Sequence, residues 1–178
     1  METIYRARAD SAILEVSQAD VDFMSGMIGH HAQALVMSAL APGNGASRAV
    51  RTLAARIVNA QTDEIALMQR WLRERGLPVP EVGAGGHMHH AMHMPGMLTS
   101  EQLRELEDAQ GPEFDRLFLR YMIQHHQGAV IMVHELFATD GAAQDESVFK
   151  LASDIQVDQI TEVARMQKML NAMAAPDR

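Results

Sequence analysis

The sequence predicts an all-α protein, a four-helix bundle made of two helical-hairpin repeats with a short linking helix. Three observations carry that prediction. Apolar residues recur with helical spacing from Ser17 to about Met173, and no Val/Ile/Thr alternation is long enough to make a strand. A segment is repeated within the chain, and two hairpins that each have one face to bury pack naturally against each other. Hydrophobic residues make up 47% and charged ones 21% of 178 residues, enough apolar side chain for one core rather than two independent domains.

Taken in order, Ser17 with Asp20 three residues on resembles a capping start, and Pro42-Gly43-Asn44-Gly45 stops the first helix near Leu40. Ser47 caps a second helix that runs to Arg75, where Gly76 and Pro78 end it. Residues 17–76 form repeat one. Residues 77–98 are a linker without periodicity, and connections longer than about 12–15 residues in compact domains are commonly functional or disordered. Thr99-Ser100-Glu101-Gln102 opens the short helix, within 99–110. Gly111-Pro112 starts a long helix ending near Thr139, and the last helix occupies roughly Gln144 to Ala174, so that 112–174 form repeat two of a single domain spanning 1–178.

The repeat is explicit. Met27-Ile28-Gly29-His30-His31-Ala32-Gln33-Ala34 matches Met122-Ile123-Gln124-His125-His126-Gln127-Gly128-Ala129, and Met37 matches Met132. On the following helices, Gln61-x-x-Glu64-Ile65-x-x-Met68 matches Gln159-x-x-Glu162-Val163-x-x-Met166. At roughly 100° per residue, His31 sits in the middle of an apolar stripe with Met24, Met27, Ile28 and Leu35, and His30 lies at its flank. His126 and His125 repeat that arrangement. Glu64 falls mid-stripe among Leu53, Ile57, Met68 and Trp71, and Glu162 among Leu151, Ile155, Met166 and Met169, so both glutamates are expected to face the core. A buried carboxylate must be paired, hydrogen-bonded, protonated or metal-bound. Reflecting the first hairpin about Asn44 puts Glu64 level with Met24, roughly 10 Å along the axis from His31, which argues against a direct His31–Glu64 bond.

With 15 Lys+Arg against 23 Asp+Glu the net charge is −8, and no basic stripe is present, which excludes nucleic acid as the expected partner and favours a cation. No run approaches the ~18 apolar residues of a membrane span, so membrane insertion is not expected. Met1 to Leu14 carries Glu2, Arg6, Arg8 and Asp10 where a signal peptide would need an apolar run. The absence of Cys removes disulfides, thiolate metal sites and a cysteine nucleophile together.

The chain is rich instead in Met, with 14, and His, with 9. From His87 to Met97, eight of eleven residues are one or the other: His87, Met88, His89, His90, Met92, His93, Met94 and Met97. Imidazole with thioether is a soft-to-borderline ligand set that suits Cu(I), with Cu(II) tolerated by histidine, whereas Mg²⁺ and Ca²⁺ prefer oxygen. Copper or silver is therefore the expected ion. Met27, His30, His31 and Met37, with Met122, His125, His126 and Met132, are the candidate bundle ligands, and the His/Met loop a capture segment. Met is also ordinary core filler, which is the competing reading of each Met in the stripes and the preferred one for Met24, Met68 and Met166. A ferritin-like di-iron site needs Glu-x-x-His, which does not occur, and no Gly-x-Ser-x-Gly, Walker loop or His-Glu-x-x-His is present. A His₂Glu₂ site from His31, His126, Glu64 and Glu162 is the alternative for iron, manganese or zinc. The third reading is that the polar residues are structural and the bundle binds no metal.

These residues resemble a bacterial family known as domain of unknown function 305. The likeness rests on the two His-His segments, Gln61-x-x-Glu64-Ile65-x-x-Met68, Met94-Pro95-Gly96-Met97 and Phe114-Asp115-Arg116-Leu117-Phe118, and covers nearly the whole chain. It implies a ferritin-like bundle of two hairpin repeats, a role for the paired histidines, and a periplasmic or secreted location, although the chain lacks the signal sequence of exported relatives. Some relatives bind copper or silver through Met and His and are linked to copper tolerance, while most have no established activity. The expected function is non-enzymatic, extracytoplasmic copper binding or storage. Ligation without cysteine suits an oxidising compartment, where imidazole and thioether outlast thiolate. The alternative is a ferritin-like metalloenzyme.

Overall fold

A computed structural model describes residues 16–81 and 94–174. Helices α1 (Gln18–Ala39) and α2 (Arg48–Glu74) form one hairpin, a short α3 (Ser100–Asp108) follows, and α4 (Gly111–Ala138) and α5 (Glu146–Ala174) form the second. The termini follow the expected chemistry. Ser17 and Ser47 side chains accept backbone N–H groups of Ala19 and Val50, satisfying donors that a helix start leaves free. Thr99 and Gln102 form a reciprocal capping box at α3. Gly76, at φ +66°, closes α2 with Leu77 N–H donating to the Leu72 carbonyl. The last helix starts two residues later than the sequence suggested, because Asp145 accepts N–H groups of Ser147 and Val148 and so becomes its cap.

Asp20 departs from the capping role expected of it. Its carboxylate reaches across the molecule and accepts the Ala143 N–H at 2.7 Å, in the α4–α5 connection. Asp115, at the matching place on α4, accepts the Ser47 N–H at 3.1 Å, in the α1–α2 connection. Each hairpin thus holds the other's turn.

Helices α1 and α4 cross antiparallel at the centre, and each packs along its own hairpin partner. Two apolar clusters result. One joins Phe23, Met24 and Met27 to Met68, Trp71, Val133 and Ile155. The other joins Met37, Leu53 and Ile57 to Phe114, Phe118, Met122 and Met166. Between them lies a polar layer containing His30, His31, His125, His126, Gln61 and Gln159, all buried.

The α1–α2 connection sets the level of that layer. Gly43 and Asn44 N–H groups both donate to Leu40 O, so the chain continues upward for another turn beyond Ala39 before it reverses. Asn44 Nδ2 then donates to the carbonyls of Glu107 and Ala109 at 2.7 and 2.8 Å, holding the end of α3. Asn44→Ala leaves those acceptors without their donor, and a loss of about 2 kcal/mol is expected in urea unfolding at neutral pH. An unchanged unfolding midpoint would show that solvent replaces the contact.

Candidate metal centre

The helix crossing builds the site. His30 on α1 and His125 on α4 face each other with ring centroids 3.9 Å apart and planes tilted by 40°; His31 and His126 stand 6.5 and 6.2 Å from their neighbours. All four are 0% exposed, including His30 and His125, which the stripe arithmetic placed only at the flank. The flank is buried because it is the face on which α1 meets α4.

Each imidazole Nε2 faces an oxygen and therefore carries the hydrogen. His30 Nε2 donates to the Pro95 carbonyl and His125 Nε2 to the His30 carbonyl, each at 3.0 Å. His31 Nε2 donates to Glu64 at 2.7 Å, and His126 Nε2 to Glu162 at 2.6 Å. All four Nδ1 atoms are buried and have no partner among the described residues. Burial first, and the adjacent His31 second, lower the His30 pKa to about 3. Burial and then His30 hold His125 well below the ordinary histidine range. Both rings are therefore neutral at physiological pH, with unused Nδ1 lone pairs, the form in which histidine ligates metals.

The His31–Glu64 bond corrects the distance argument made from sequence. With the extra turn after Ala39 the chain reverses near Ser47, and His31 lies as many residues before Ser47 as Asp63 lies after it, so Glu64 is level with His31. The glutamates are also less enclosed than expected, with side chains 13% and 23% exposed. They line a cavity between α2 and α5. The four residues of the His₂Glu₂ alternative form two separate pairs, and among the described residues no three histidine or carboxylate side chains converge on a point that could hold a metal ion.

A short strap, 94–98, crosses the face of the α1–α4 pair. Gln33 holds it at one end, donating to Leu98 O at 3.1 Å and accepting Leu98 N–H at 2.8 Å. At the matching place in repeat two stands Gly128, and there the strap backbone touches α4: a Cβ on Gly128 would lie 2.0 Å from Pro95 O. Gly96, at φ +76°, makes the turn, and a Cβ there would lie 2.5 Å from Gln124 O. Met94 lies over Gly26 and Gly29 of α1. Met94 and Met132 both line a cavity of about 380 Å³ with Phe23 and Glu135.

The structure brings the four histidines together but distributes the methionines. Met27 and Met132 pack in one apolar cluster, Met37 and Met122 in the other, so the two methionines of each repeat lie on opposite sides of the histidine layer. Met97 is half-buried on the strap. His87, Met88, His89, His90, Met92 and His93 lie outside the described residues. Sequence reasoning missed Gln33, Gly128 and the Pro95 carbonyl as parts of the site. The signal available was that the matched segments differ at Gln33 and Gly128, one of three differences among eight aligned positions.

Comparison with known proteins places this geometry. The family model described as Domain of unknown function (DUF305) matches residues 20–170. The chain belongs to the DUF305 family. A DUF305 fragment from Deinococcus radiodurans superimposes with TM-score 0.76 at 32% identity, covering 88% of this chain and 98% of that one. A DUF305 protein from Streptomyces coelicolor assigned as secreted gives 0.75 at 26% identity, covering 90% and 96%. CopM in its Cu(II)-bound form gives 0.69 at 32% identity, covering 86% and 96%, and CopM structures similar to this chain also hold Cu(I) or silver. No curated protein matches the chain. Among the described residues, no helix of this DUF305 chain is long and apolar enough to cross a membrane.

Proposed function

We propose that the protein binds Cu(I), and Ag(I) in its place, as a non-enzymatic, extracytoplasmic store or buffer in metal tolerance. The observation that carries the reading is the layer of four buried imidazoles, each with an Nδ1 that has no partner among the described residues and two held neutral far below ordinary histidine pKa. Buried acceptors without partners are costly, and a soft cation supplies what they lack. Met94 and Met97 on the strap and the thioethers of Met27, Met37, Met122 and Met132 on either side of the layer are the candidate sulfur donors. The His87–His93 segment adds further imidazoles and thioethers for capture. The likeness to copper- and silver-bound CopM supports the same ion, and the likeness to a DUF305 protein assigned as secreted supports the compartment.

Anaerobic titration with Cu(I) against a competing chelator tests the reading. His30→Ala with His125→Ala is expected to weaken the tightest site at least tenfold, and deletion of 87–93 to lower the number of ions bound. Wild-type affinity and stoichiometry in both variants would remove the proposal.

A further inference from the structure

A second cavity, of about 230 Å³, lies between α2 and α5 on the side of the histidine layer away from the strap. It is built by the duplication: Gln61 and Glu64 come from one repeat, Gln159 and Glu162 from the other. The two glutamates each spend one oxygen on a histidine, and among the described residues the other accepts no hydrogen bond. The repeat is broken at one position. Asp158 stands where the first hairpin has Ala60, and both line the cavity, so a third carboxylate is added on one side only. The glutamines are the independent indication that the cavity takes a ligand. Among the described residues, Gln61, 1% exposed, has no partner for either amide atom, and Gln159, 2% exposed, has none for Oε1. Native proteins seldom leave buried amides unsatisfied.

We infer that this cavity is a site for a hydrated divalent cation of the hard class, Mg²⁺, Ca²⁺ or Mn²⁺, held by Glu64, Asp158 and Glu162 with the amide oxygens of Gln61 and Gln159. The donors available are all oxygens, because the histidine Nε2 atoms already point their hydrogens at the glutamates, and oxygen-only sets select hard cations. The volume exceeds that of a bare ion and accommodates several of its waters, at about 30 Å³ each. That fits carboxylates which line the space without already converging. Arg56 also lines the cavity, and among the described residues no ion pair joins it to them. The site adjoins the soft-metal layer through the His31–Glu64 and His126–Glu162 bonds but uses different donor atoms, and it does not depend on the copper reading.

The test uses the full chain, freed of metal, with Mn²⁺ binding read from the loss of its free electron-paramagnetic signal, and Ca²⁺ and Mg²⁺ as competitors. One Mn²⁺ per chain is expected at a Kd on the order of 10⁻⁴–10⁻³ M, the range of modest oxygen sites. Asp158→Asn, on an exposed side chain whose loss leaves the fold intact by circular dichroism, should weaken it at least tenfold, and Gln159→Leu several-fold. Cu(I) affinity should be unchanged in Asp158→Asn. Absence of Mn²⁺ binding up to about 10 mM, or wild-type Mn²⁺ affinity in both variants, overturns the inference. Loss of Cu(I) binding by the wild-type chain would instead sink the copper reading while Mn²⁺ binding stood.

Discussion

Gly128→Ala is expected to destabilise the protein by about 3 kcal/mol, which for a chain of this size lowers Tm by roughly 10 °C. The methyl group would lie 2.0 Å from Pro95 O and 2.4 Å from Pro95 C, both backbone atoms that no side-chain rotation can clear. Either the strap lifts from α4, losing the His30–Pro95 bond with it, or the helix crossing opens. The gain of about 1 kcal/mol from replacing a helical Gly by Ala only partly offsets this. Gly29→Ala is the matched control, since its Cβ would meet only Met94 Cε at 3.7 Å, an ordinary contact. That variant should melt at or slightly above the wild-type temperature. Equal melting of the two would mean the strap is not seated on Gly128.

Acid is expected to unfold the protein steeply, through His30 and His125. Both have folded pKa values far below the ordinary histidine value of 6.5, about 3 for His30. In the unfolded chain they take up protons near pH 6.5, so below that pH the unfolded state binds more protons than the folded one. Their contribution to stability is complete above about pH 6.5 and is lost progressively as the pH falls toward 3. Each histidine supplies a slope of up to about 1.4 kcal/mol per pH unit, about 3 together. Urea unfolding at half-unit steps from pH 7 to 4 measures it. Replacing His125 with Gln should roughly halve the slope, and a stability that stays flat to pH 4.5 would contradict the assignment of both rings as buried and neutral.

What could be read from the sequence depended on whether a feature was local. Ser17, Ser47 and Thr99 announce helix starts by chemistry that acts within three residues, and each caps where expected. The helix-period stripe found His31 and His126 because a stripe is a property of one helix. His30 and His125 are buried by a second helix crossing the first, and no single-helix projection contains that crossing. The Glu64 register failed for a related reason: the turn beyond Ala39 keeps helical hydrogen bonds through Asn44 although Pro42 and Gly43 read as a stop. Gln33 and Gly128 are meaningful only once the strap lies on them. The repeat itself pointed to Gln61 and Gln159, but a glutamine match carries no chemistry until its burial is known.

The paired reach of Asp20 to Ala143 and of Asp115 to Ser47 bears on how the molecule comes apart. A chain made of two near-copies would ordinarily be free to lose one half while keeping the other. Here the carboxylate that begins each half is buried and accepts an amide from the opposite half, so releasing either half breaks both bonds and opens the apolar clusters that the two halves build together. The halves are therefore expected to share one melting transition, with the whole bundle rather than the single hairpin as the cooperative unit.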